Sequence, residues 1–137
     1  MASNLIYIAG YTNGDIDGQI NSGNADAFIS KFNPDGTKDW TRLLGSSQFE
    51  LAKAITTATD GSIYVAGDTI GDLDGQTNRG NYDAFISNYN SDGTKEWTRI
   101  LGSDQIEYIP PVDYANALTT GSDGSIYIAG DTYGDLD

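Results

Sequence analysis

The chain alternates short apolar-rich runs with polar segments full of Gly, Asp and Asn. Residues 51–59 place Ala54, Thr56 and Ala58 at alternate positions, and 62–68, 83–90 and 95–101 are rich in β-branched and aromatic side chains. These runs predict four strands. Asp60-Gly61, Asp92-Gly93 and Asp123-Gly124 fall between consecutive runs and predict hairpin turns, because Gly accepts a positive φ there. No stretch keeps an apolar period of 3.6 residues between caps, so the pattern predicts essentially no helix. Ile63 and Val65 lie on one face of their strand, Tyr64 and Ala66 on the other. Apolar residues on both faces suit sheets buried on both sides.

The pattern repeats. Ile6-Tyr7-Ile8-Ala9-Gly10 returns as Ile63-Tyr64-Val65-Ala66-Gly67 and as Ile126-Tyr127-Ile128-Ala129-Gly130. Asp26-Ala27-Phe28-Ile29-Ser30 returns at 83–87, and Asp35-Gly36-Thr37-Lys38 with Trp40-Thr41-Arg42 returns at 92–99. The first step is 57 residues and the second 63. Between 6–50 and its copy, 31 of 45 positions are identical, which marks a tandem duplication. The longer second step comes from six extra residues between Glu107 and Ala117, and insertions of this kind belong in loops. The organisation is a single repeat region over 1–137, with copies at about 6–50, 51–107 and a partial 108–137.

The phrases Asp-Ala-Phe-Ile-Ser, Asp-Gly-Thr-Lys-x-Trp-Thr-Arg and Gly-Ser-Ile-Tyr-Val-Ala-Gly-Asp-Thr resemble the bacterial seven-bladed β-propeller repeat family, over nearly the whole chain. The resemblance implies an all-β fold of four-stranded antiparallel blades around an axis, and no particular ligand. With strands labelled A to D outward from the axis, the chain reads B-C-D, A-B-C-D, A-B. That is two blades plus one extra strand. A closed ring needs about four blades or more. The reading is therefore a fragment or engineered piece of a larger array, or a chain that completes a ring by oligomerisation. Three or four copies would give about six or eight blades. The strand at 115–122 would complete a neighbour's sheet. Met1-Ala2-Ser3 reads as a start site with a short leader, in keeping with a trimmed piece.

Charge narrows the partners. Seven Lys and Arg face 20 Asp and Glu, a formal charge of −13. That balance opposes nucleic acid and anionic membranes and favours cations. With no Cys and no His, thiolate and imidazole chemistry are excluded, both as nucleophile systems and as metal ligands. No basic region precedes the short apolar run at 5–9, which is far too short to span a bilayer. The parent protein is expected to be a bacterial secreted or surface protein.

The polar segment between strands B and C is the candidate site. Asp15, Asp17, Asn21 and Asp26 recur as Asp72, Asp74, Asn78 and Asp83, with a Gly after each Asp-x-Asp. Such a segment offers hard oxygen ligands, and calcium takes about six to eight of them. It lacks the closing Glu of an EF-hand. The same residues also build turns, where Asx side chains bond their own backbone. Paired carboxylates suit glycoside hydrolysis, but an active site is singular and these pairs recur with the repeat. Trp40 and Trp97 read as packing residues between blades with Tyr64 or Tyr127 nearby, against a sugar-stacking platform. Arg42 and Arg99 follow on the same face, placed to stack on Trp or pair with carboxylates. The segment 108–114, with two Pro and two Tyr, reads as loop variation, with a binding loop as the other option. The reading is a non-enzymatic scaffold that self-associates as a trimer or tetramer. Its alternative is a module binding calcium, a glycan or a protein ligand.

Overall fold

A computed structural model describes residues 4–103 and 112–136. Nine strands form in chain order: β1 Ile6–Thr12, β2 Asp26–Phe32, β3 Lys38–Leu44, β4 Glu50–Thr57, β5 Ile63–Thr69, β6 Asp83–Tyr89, β7 Lys95–Leu101, β8 Asp113–Thr120 and β9 Ile126–Thr132. No helix occurs among the described residues. The strands form three antiparallel sheets, ordered β1-β2-β3, β4-β5-β6-β7 and β8-β9. The all-β antiparallel expectation and the grouping of strands into three, four and two both hold. The strand expected at 115–122 starts at Asp113 and ends at Thr120 instead.

The hairpins follow from their turn residues. Gly36, Gly61, Gly93 and Gly124 all have φ between 84° and 88°. In each turn the preceding Asp accepts a bond from a backbone N–H two residues on, as Asp35 Oδ1 does from Thr37 N at 2.9 Å. This Asx bonding holds the turn closed. It also holds the carboxyls of Asp60, Asp92 and Asp123 below their ordinary range, and at Asp35 the Thr37 hydroxyl does so first and the backbone bond second.

The sheets stack. The first lies on the middle one through β1 and β2 against β4, and the last through β8 against β4, β5 and β6. At each junction the head of the inner strand bonds the preceding sheet: Glu50 N donates to Ala25 O at 2.8 Å, and Asp113 N to Tyr82 O at 2.7 Å. Between the first and middle sheets lies the main core, built from Ala27, Ile29, Leu44, Ala52, Ile63, Val65, Leu73, Phe85 and Tyr89. A smaller cluster of Ala66, Ala84 and Ala115 joins the middle sheet to the last. Small side chains there bring the sheets close. Asp68 bridges that seam: it accepts from Ala115 N at 3.0 Å and pairs with Lys53, whose ammonium lies over the Tyr114 ring.

Asp113 takes the structural place of Glu50. Ser46 N and Oγ bond Glu50, and Ser103 N and Oγ bond Asp113. The inserted residues therefore fall between Ser103 and Asp113, ahead of β8. Asp113 and Tyr114 are strand residues rather than loop residues. Tyr114 packs against Tyr82 with ring centres 5.6 Å apart. The remainder of the expected loop, 108–111, lies outside the described residues.

Candidate functional site

The B-to-C segment folds onto itself. Ile16 and Gln19 exchange backbone bonds at 2.8 and 3.1 Å, which makes Asp17-Gly18 a two-residue hairpin turn. Asp17 has φ 52° and Gly18 φ 73°. Two consecutive positive φ values are what a type I′ turn requires, and Asp-Gly is a preferred pair for it. The copy repeats this at Leu73-Asp74-Gly75-Gln76, with φ 51° and 75° at the centre.

The remaining polar groups close the segment around that turn. Asp15 Oδ1 accepts from Asn21 N at 2.9 Å, Asn21 Nδ2 donates to Thr12 O at 3.0 Å, and Asp26 Oδ2 accepts from Ser22 N at 2.8 Å. In the copy, Asp72 accepts from Asn78 N, Asn78 Nδ2 donates to Thr69 O, and Asp83 accepts from Arg79 N, at 2.9, 3.0 and 2.7 Å. Asp17 and Asp74 point elsewhere, onto strands β3 and β7. Asp17 pairs with Lys38 and accepts from Thr41 Oγ1, and Asp74 pairs with Lys95 and accepts from Thr98 Oγ1. Thr41 and Ser30 share a 2.8 Å hydroxyl bond, as do Thr98 and Ser87 at 2.7 Å.

Lys38 and Thr41 are three residues apart, so in a regular strand they would face opposite ways. A bulge brings them together: Lys31 pairs with Trp40 and Phe32 with Lys38, leaving Asp39 as the extra residue. The same bulge occurs at Glu96. The Lys38 hydrogen bond and ion pair draw the Asp17 carboxyl below its ordinary range, helped by Thr41.

Asp15 and Asp26 are thus tied to one segment by separate backbone groups, and Asp17 is turned away onto β3. Among the described residues no three carboxylates gather as a cation's ligand set. Oδ1 of the buried Asp26, Asp83 and Asp113 has no hydrogen-bond partner among them, whereas buried Glu50 has both oxygens bonded. Burial pushes the Asp83 carboxyl up, against the Arg79 amide, and the nearby Asp113 charge adds to the rise. The sequence reading missed Lys38, Thr41, Lys95 and Thr98 as partners of the Asp-Gly turns. The signal was present in the repeated Lys-x-x-Thr spacing, but only the bulge gives that spacing meaning.

The tryptophans pack as edge clamps. Trp40 lies 6.4 Å from Tyr7 and under Arg42, and its Nε1 donates across the sheet boundary to Ser91 O at 3.3 Å. Trp97 has the corresponding neighbours Tyr64 and Arg99 within its own sheet. Tyr64 is thus a neighbour as expected. Tyr127 sits in the two-stranded sheet, and its ring is exposed.

These features define a stack of repeat sheets whose polar loops are closed by their own hydrogen bonds. Residues 96–137 match the family described as Beta-propeller repeat. The chain is also similar to the regulatory protein FlaEY of Caulobacter vibrioides, 32% identical over 130 residues. That alignment covers 89% of this chain and 13% of FlaEY, so the chain spans a small part of the length of that relative. No helix among the described residues is long and apolar enough to cross a membrane.

Proposed function

We infer that this chain is a non-enzymatic β-propeller scaffold, a fragment or engineered piece of a larger propeller, that self-associates into a ring of three or four chains. The observation that carries this is the state of the ends. Among the described residues the first sheet has strands B, C and D, with β1 paired on one side, and the last sheet has A and B. Large apolar side chains lie bare on these sheets, Ile6, Ile8, Tyr127 and Ile128, and on the middle sheet Leu101 is exposed as well. Exposed sheet edges and apolar faces favour association. The regulatory label of FlaEY is in keeping with a repeat that works by contact rather than by chemistry.

The alternative is a calcium- or glycan-binding module using the loops with Asp15, Asp17, Asn21 and Asp26 and their copies Asp72, Asp74, Asn78 and Asp83. The unpartnered oxygens of Asp26 and Asp83 favour it, but Asp17 and Asp74 would have to exchange Lys and Thr for the cation. Light scattering after gel filtration, with and without a chelator, tests both. The scaffold reading expects a discrete oligomer that chelator leaves intact. A monomer overturns it. An oligomer that dissolves, or a fold that melts earlier on chelation, moves the assignment to calcium.

A further inference from the structure

We propose that copies join head to tail, with the first blade of one copy seated on the open face of another's middle blade, and β1 of the first replacing β9 of the second beside β8. This rests on the self-association reading and names its interface. The template is the junction inside the chain. There, Leu44 is 3% exposed because the middle blade covers it, while the equivalent Leu101 is 48% exposed. On the covering side, Ile63 and Val65 are fully buried, while the equivalent Ile6 and Ile8 are 47% and 46% exposed. The two bare surfaces are copies of the two halves of a junction already made. The open one is a groove whose lining includes Ala84, Ile86, Ile100, Leu101 and Ile128 together with Arg99. Joining them repeats the internal contact one blade further on. Because the two halves differ, the contact is heterologous and can close a ring.

The free edge of β1 is shaped for an A strand. At Gly67 a Cβ would stand 1.9 Å from Leu51 O of strand A, and at Gly130 1.7 Å from Tyr114 O. Gly10 is the matching glycine, yet a Cβ there would meet only the Phe28 ring. The seat for a strand carbonyl exists on β1, and among the described residues no strand fills it. Strand β9 is the one to yield. Tyr7 and Ala9 anchor β1 to the main core, whereas no β9 side chain belongs to a core cluster. Its residues after Ile126 are all exposed. At the junction Tyr11 would stand where Asp131 now accepts from Asn116.

The experiment measures the mass of the full chain and of three variants by light scattering, with circular dichroism confirming the strands. Leu101→Asp and Ile8→Asp, both at exposed positions, are each expected to be monomeric. Mixed in equal amounts, they are expected to form a one-to-one dimer, because each retains the half that the other lacks. Gly130→Ala loosens β9 from β8 and is expected to strengthen assembly severalfold. Should Ile8→Asp fail to fold, Gly10→Ala blocks the same half. An assembled parent chain with variants that still assemble, or with a mixture that stays monomeric, overturns this interface but leaves self-association standing. Weaker assembly in Gly130→Ala overturns the replacement of β9. A monomeric parent chain overturns the self-association reading itself and this interface with it.

Discussion

Buried Asp83 illustrates how far a repeat copies residues whose surroundings differ. Its environment includes Asp113, the shorter residue that stands where the first junction has Glu50. Glu50 is satisfied by Ser46 and by Thr69 Oγ1 at 2.8 Å, whereas Asp113 keeps one oxygen without a partner. Asp83 has its pKa raised chiefly by burial, so it holds its proton to a higher pH folded than unfolded. Asp68 is raised for the same first reason, against Lys53. The cost of these ionised carboxylates is fully present above the folded pKa and is relieved as pH falls towards 3.8. The exposed turn aspartates act in the opposite sense. Their pKa values are lowered, so their stabilisation is present above 3.8 and is lost below it. Stability should therefore rise as pH is lowered from 7 towards 4 and fall again below. Asp83→Asn should flatten the rise and stabilise the neutral protein by on the order of 1 kcal/mol, the scale of one unsatisfied buried polar group. Thermal melts across that range check this. An unchanged pH slope in Asp83→Asn would remove Asp83 as its source.

At the level of strands and turns, the two tryptophans should separate. Trp40 clamps the first blade to the hairpin of the next, over Gly93 and through Ser91 O. Trp97 has no such hairpin within the described residues beyond its own sheet. Measured in a Leu101→Asp background that keeps the open face free, Trp40→Ala should cost about 3 kcal/mol, and Trp97→Ala about half that. Equal losses in urea melts would mean that Trp40 acts within its own sheet only. This element scale is also where sequence was most readable. The strands were legible because a 57-residue repeat shows each run more than once, so turns and apolar alternation confirm one another. Loop chemistry was less legible. Asp17 could be read as a calcium ligand because its side-chain direction depends on a positive φ and on a bulge at Asp39, neither of which spacing alone reveals. The place of the insertion was misread for a similar reason. Glu107 matches Glu50 in sequence, but Asp113 is the residue that bonds the serine.

For the whole molecule, charge and apolar surface act against each other. Each copy carries a formal charge of −13, and the proposed ring would gather that charge several times over. Repulsion between exposed charges is screened by salt, since the Debye length falls from about 30 Å at 0.01 M to about 8 Å at 0.15 M. The proposed contact is chiefly apolar, with exposed Leu101 on one side and exposed Ile6 and Ile8 on the other, and burial of apolar area is not weakened by screening. At the template junction the Arg42 charge reaches Asp92 on the next hairpin, so the repeated seam sets Arg99 towards Asp35, an exposed opposite-charge pair of the kind that contributes little. Assembly should therefore tighten with sodium chloride, which is the reverse of what a contact made of ion pairs would do. Between 10 and 300 mM salt (an experimental range chosen to span that change), the midpoint concentration of assembly is expected to fall about tenfold, equivalent to about 1.4 kcal/mol. Sedimentation or light scattering over a dilution series at each salt concentration reads this directly. If the midpoint instead rose with salt, opposite charges would have to carry the contact. The open faces of the first and middle blades could then not be what joins the copies.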